Sequence, residues 1–235
     1  VSSHTPIVPL RILVACEFSG RVREAFRKMG HDAWSCDIEP AADGSPYHIQ
    51  DDVLKHLGDG WNMMIAHPPC TYLSYVGNRH WNKPGRAELR EDALRFFVAL
   101  AEAPIPKICV ENPLGYAGKA YRKYDQIIQP YYWGEPYQKR TCLWLKGLPP
   151  LTYDKENAVK PPPLFYLGTT GKPINWVEGI KGMSAKDRQK ARNTTFQGIA
   201  NAMAEQWGVR RSTRHQRPVA VTATSQPSLL VAPLR

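Results

Sequence analysis

The sequence predicts an α/β fold built on a mostly parallel sheet, and three observations carry that expectation. Short apolar runs at residues 11–16 (RILVAC), 62–66 (NMMIA) and 107–110 (KICV) have the length and composition of buried strands. Stretches of helical periodicity lie between them, and strand alternating with helix at this spacing favours parallel pairing through crossovers. Each strand also runs into polar, acidic or proline-rich residues, which is where the ligand site of such a sheet lies.

In chain order, residues 21–29 place Val22, Ala25, Phe26 and Met29 on one helical face, and Gly30 stops that helix. Residues 31–37 (HDAWSCD) read as a second strand with an acidic end. Residues 86–103 form the strongest helical pattern, with Leu89, Ala93, Phe96, Phe97 and Leu100 on one side, closed by Pro104 and Pro106. Residues 141–145 (TCLWL) are a late strand. From 146 to 190 the chain carries Pro149-Pro150 and Pro161-Pro162-Pro163 with little periodicity, which predicts a long functional loop. Residues 195–207 return to a helix with Ile199, Ala202, Met203 and Trp207 aligned. After Val209 the composition turns to Arg, Ser, Thr, Gln and Pro, the signature of a disordered tail, and residues 1–6 read the same way.

The 235 residues are 43% apolar and 22% charged, which places the chain among globular proteins able to bury a core. No apolar run is long enough to span a bilayer and the N-terminus carries no signal-peptide pattern, so the sequence predicts a cytoplasmic protein without a membrane partner. Five scattered cysteines with no CxxC pair argue against a disulfide framework and a zinc knuckle. The net charge of +10 is uneven. Residues 1–138 hold 15 Lys+Arg against 16 Asp+Glu, whereas residues 139–235 hold 16 against 5, a net +11. Such a basic half suits a polyanion, although a basic tail that only aids solubility has the same composition.

Candidate chemistry gathers at the predicted strand ends. Cys70 follows a strand directly behind two prolines, a rigid turn able to aim a thiol into a cleft. The other common use of a lone cysteine is core packing, and reactivity additionally needs neighbouring positive charge or a helix N-terminus. Glu111 follows KICV, where an apolar setting would raise its pKa and suit a proton donor; a salt-bridge partner is the commoner role of a single glutamate. Asp37 or Glu39 could accept from ribose hydroxyls and Asp52 from an adenine amino group, while Ser19-Gly20 would let backbone approach a cofactor. Neither GxGxxG nor GxxxxGK[ST] occurs. Gln138-Lys139-Arg140 offers planar donors for a base or phosphate, or is a solvated basic turn.

The order Phe18-Ser19-Gly20, Pro68-Pro69-Cys70, Glu111-Asn112-Pro113, Gln138-Lys139-Arg140 resembles the DNA cytosine-C5 methyltransferases, especially compact bacteriophage forms. The resemblance covers roughly residues 11–208 and implies a Rossmann-like S-adenosylmethionine-dependent fold with a very small target-recognition region. It divides the chain into a catalytic core (7–145), a reduced recognition region (146–190), a helix completing the core (191–209) and a basic tail (210–235). It implies that Phe18, Ser19, Gly20, Asp37, Ile38, Asp52, Pro68 and Thr195 (or Thr194) hold S-adenosylmethionine. Cys70 would be the nucleophile toward C6, Glu111 the acid at N3, and Arg140 the arginine steadying a flipped base. Ser74, Gly77, Gln138, Lys139 and Arg140 would meet double-stranded DNA. The implied enzyme is a monomer without a metal.

Cys142 stands where a second arginine of Gln-x-Arg-x-Arg would fall, Pro113 replaces an aliphatic residue, and the glycine turn keeps Gly20 alone. The short recognition region predicts short or relaxed sequence specificity. Other readings of the same pocket are a modified donor, an RNA or nucleotide substrate, or an inactive DNA-binding relative.

Overall fold

The structure, a computed structural model, describes residues 8–75, 82–158, 166–167, 173–174 and 184–209. A seven-stranded sheet forms its centre, in the order β3-β2-β1-β4-β5-β7-β6. Its strands are β1 (Arg11–Ala15), β2 (Asp32–Asp37), β3 (His48–Gln50), β4 (Met63–Ala66), β5 (Lys107–Pro113), β6 (Gln126–Ile128) and β7 (Thr141–Lys146). The first five pair in parallel, and only β7 is reversed, antiparallel to both β5 and β6. A two-stranded ribbon, β8 (Tyr166–Leu167) with β9 (Pro173–Ile174), lies outside the sheet. The mostly parallel sheet matches the α/β, Rossmann-like fold that the sequence predicts, and the structure adds the strand order and the reversal of β7.

Strand periodicity explains the layers. Successive side chains of β1 point to opposite faces. Ile12 and Val14 meet α1 (Arg21–Lys28) and α5 (Gln197–Trp207) through Val22, Phe26, Ile199, Met203 and Trp207. Leu13 and Ala15 meet the other layer, where α2 (Arg86–Ala101) and α3 (Ala117–Ala120) bring Phe97, Leu100 and Ala117. Both strand faces are thus covered, as all-parallel segments require. The crossover after β1 runs on one face and the chain after β4 on the other, so the sheet changes direction between β1 and β4. Ligand crevices of open α/β sheets form at that junction.

Several elements differ from the sequence reading. Glu111, Asn112 and Pro113 belong to β5, because β7 pairs with it through Pro113↔Thr141. Leu89, expected on the apolar side of its helix, is exposed, and Arg90 is buried instead. The reason is local: Arg90 donates through Nε to the Tyr72 carbonyl at 3.2 Å and stacks over Tyr116. A helix, α4 (Ala185–Asn193), crosses the 190/191 boundary inside a stretch read as loop. It has no apolar face to give periodicity, but Ser184 caps it, accepting from the Asp187 N–H at 3.1 Å. Gly77, most of 146–190 beyond residue 158, and the tail 210–235 lie outside the described residues.

Candidate active site

The turn after β1 is built around Glu17, an acidic residue at a predicted strand end. Gly20, at φ +71°, begins α1 without a side-chain cap of its own. Glu17, 4% exposed, takes the role instead. Its two oxygens accept from the N–H groups of Val22 (2.7 Å) and Arg23 (3.2 Å), satisfying donors at the positive end of the helix. Burial still pushes the Glu17 carboxyl upward, against His67 and the Arg23 and Val22 contacts. Arg23 is fully buried beneath Gly20 and is neutralised by Glu24 and Asp43. Any Cβ on residue 20 would strike that guanidinium. Phe18 is half-buried beneath Lys190 of α4, 5.6 Å from its ring centre. Ser19 donates to Glu17 at 3.3 Å.

The neighbouring strand ends bring further acids. Asp37 closes β2, and burial raises its pKa. Ile38 beside it is 75% exposed, an unusual position for an isoleucine. Asp52 begins the helical turn 53–56 and accepts from the Leu54 N–H at 3.0 Å. The charges of Asp37 and Asp52 both reach Cys16, whose thiol is raised by burial and then by them. Cys16 itself has φ +58°, a strained conformation for a non-glycine residue at the end of β1.

After β4, Pro68 is buried and Cys70 is partly exposed. Three devices hold this turn. Buried Asn112 donates to the Pro68 carbonyl at 2.8 Å, tying β5 to it. From α2, Arg86 donates to the Thr71 carbonyl at 3.0 Å and Arg90 to that of Tyr72. Finally, Ser74 bridges Gly115, where a Cβ would run into the Leu73 carbonyl, so only glycine permits the approach.

Glu111, on β5, exerts its charge on Cys70. Its Oε2 lies 2.9 Å from His67 Nδ1. Burial alone would raise the Glu111 pKa, yet the His67 hydrogen bond, the Lys139 charge and the Thr141 hydroxyl hold it below the usual carboxylate range. This corrects the raised value expected from apolar surroundings. Cys70 shifts the other way: burial and the Glu111 charge raise its thiol, while Lys139 and Arg192 pull it down.

A shallow depression open to solvent lies beside Glu111, lined by Lys139, Thr141, Thr195, Phe196 and Ile199. Lys139 Nζ donates to the Arg192 carbonyl at 2.8 Å and stands 5.9 Å from the Phe196 ring centre. The basic side chain facing Cys70 and Glu111 is therefore Lys139, while Arg140 is exposed. Residues 139 and 141 share a face of the extended chain and residue 140 takes the other. Gln138 and Ser74 are half-buried, and Thr195 is buried, its carbonyl accepting from Arg21 at 3.1 Å. Cys142 is buried in the core.

Sequence reasoning points to the strand end holding Glu17 without its capping role, and it misses His67, Arg192 and Gly115. A glutamate four residues before the helix starting at Arg21 was the available signal for Glu17; the others depend on tertiary contacts. Among the described residues no group of three or more His, Cys, Asp or Glu could hold a metal. None of their helices is long and apolar enough to cross a membrane.

No protein-family model matches this chain, and no curated protein does. Solved structures do resemble it. One, assigned as a DNA modification methyltransferase encoded within an E. coli prophage, is 15% identical with a TM-score of 0.40, over 75% of this chain and 56% of its own. The S. pombe Dnmt2 methyltransferase is 18% identical with a TM-score of 0.40, over 60% and 52%. The Entamoeba histolytica methyltransferase EhMeth is 16% identical with a TM-score of 0.43, over 60% and 54%. The chain spans about half the length of these structures.

Proposed function

We propose that this protein is a cytosine-C5 methyltransferase acting on duplex DNA, using S-adenosylmethionine and a covalent bond from Cys70 to a base turned out of the helix. The observation that carries the reading is the electrostatic coupling of Cys70 to Glu111. One comes from the turn after β4 and the other from β5, the Glu111 charge raises the Cys70 thiol, and the Lys139 charge acts on both.

The donor fits the crevice on electrostatic grounds. Asp37 closes β2 and Asp52 follows β3, and acids at these neighbouring strand ends repel a pyrophosphate and favour a cationic sulfonium. Asp37 would take the ribose hydroxyls, Ile38 the adenine face and Asp52 the adenine amine. Pro68, Thr195 and the Phe18-Ser19-Gly20 turn would border the rest. When bound, S-adenosylmethionine supplies an electrophilic methyl group.

The chain's own groups supply the activation. Cytosine C5 is a poor nucleophile until a thiolate adds at C6 and N3 gains a proton. Cys70 forms the bond to C6 and Glu111 delivers the proton to N3, a nucleophile and acid acting together. Lys139 lowers the cost of both anions and offers a donor to the base. Loss of the C5 proton then restores the ring and expels Cys70. Turning the base out costs a few kcal/mol, which phosphate contacts from Arg140, Gln138, Ser74 and the basic half offset.

Nucleoside mass spectrometry tests this. Duplex DNA incubated with the protein and deuteromethyl-labelled S-adenosylmethionine should yield labelled 5-methylcytosine. Label on an exocyclic amine, or none on any nucleoside, would contradict the reading.

A further inference from the structure

His67, the residue before the Pro68-Pro69-Cys70 turn, is a buried imidazole that the chemistry above leaves unused. Its side chain is 6% exposed and its Nδ1 meets Glu111 at 2.9 Å. Its Nε2 is buried with no hydrogen-bond partner among the described residues. A protonated imidazole here would also lower the carboxyl of Glu17 in the turn after β1.

A carboxylate can only accept, so an ionised Glu111 requires the proton on Nδ1 and fixes the tautomer. The remaining groups around Glu111 are Lys139 and Thr141, and the thiols of Cys70, Cys109 and Cys142 sense its charge. Lys139 is shared with Cys70, whereas His67 bonds to Glu111 directly.

We infer that His67 is a positioning residue: its Nδ1–H keeps Glu111 ionised and aimed, so that Glu111 accepts the Cys70 thiol proton as the sulfur attacks. The Sγ–H bond breaks and its proton moves to a Glu111 oxygen. The sulfur electron pair forms the bond to C6, and the displaced ring electrons settle on N3, which takes the proton from Glu111. The thiol has then added across C6 and N3, and the carboxylate is restored. Without His67, burial is opposed by Lys139 and Thr141 alone, so the carboxyl pKa rises and less carboxylate is there to accept the thiol proton. The destination at N3 rests on the methyltransferase reading; the control of Glu111 by His67 does not.

Two measurements separate them. The first is infrared difference spectroscopy across a pH titration, without DNA or donor, with the Glu111 carboxyl band assigned by its loss in Glu111→Gln. In His67→Ala the pH of half-protonation should rise by roughly one unit or more. His67→Asn places an amide donor near the Nδ1 position and should return the wild-type value, whereas His67→Gln should not. The second is the pH dependence of covalent trapping on DNA containing 5-fluorocytosine. Its acid limb should move up in His67→Ala and return in His67→Asn. A merely structural histidine would lower trapping at every pH and leave the limb in place. A Glu111 titration unchanged in His67→Ala would overturn the inference. If that titration moves while the wild type traps no DNA, His67 still controls Glu111 and the methyltransferase reading falls.

Discussion

Cys70 and Glu111 rest with their protons distributed for a transfer still to come: the thiol is held up and the carboxyl down. The neighbouring cation decides how far. Titration of Cys70 alkylation by iodoacetamide should give a midpoint above the usual thiol range, because the raised group becomes nucleophilic only at higher pH. Glu111→Gln removes the repelling charge and should lower that midpoint. Lys139→Gln removes the attracting charge and should raise it, while Arg140→Gln, on the exposed face, should leave it in place. Equal effects of the two basic residues would show that the alternation of side chains along 139–141 is read wrongly here. Glu17 makes a separate residue-level test. Glu17→Ala strips the N-terminus of α1 of its acceptor and should destabilise the fold by about 1–2 kcal/mol in urea titrations.

The elements that aim these side chains are β5 and the turn after β4, stitched together by Asn112 and Gly115. Asn112→Ala leaves the Pro68 carbonyl without its donor and should cost about 1–3 kcal/mol. Gly115→Ala should do more to trapping than to stability, since relieving its clash with Leu73 shifts the Cys70 turn away from Glu111. Retained trapping with wild-type stability in Gly115→Ala would show the approach is dispensable. Much at this level was legible in the sequence. The apolar runs that became β1, β4, β5 and β7 announce themselves, because strands buried on both faces read as continuous hydrophobic stretches. The position of Cys70 just beyond β4 follows from them. The short strands β3 and β6 and the polar helix α4 carry no periodicity and were invisible. His67 and Arg192 were invisible for another reason: each acts through partners 44 or more positions away in the chain, and no local pattern marks such a pair.

Across the whole molecule, charge is unevenly divided. The near-neutral first 138 residues carry the crevice and the thiol, and the last 97 carry the net +11. Lys139, Lys190 and Arg192 bring that basic portion onto the site itself. Duplex binding should therefore weaken steeply with salt, and Arg140→Gln should flatten the log–log slope by about one unit with no change in sequence preference. A slope near zero would remove the electrostatic account of the basic half.

The central claim is that Cys70 attacks a cytosine delivered to Glu111. Incubating the protein with S-adenosylmethionine and duplex DNA containing 5-fluorocytosine tests it most directly, because fluorine at C5 cannot leave as a proton and the adduct persists. The account predicts a complex stable to denaturation in the wild type and none in Cys70→Ala. A complex that survives Cys70→Ala, or none in the wild type at any pH, would contradict it.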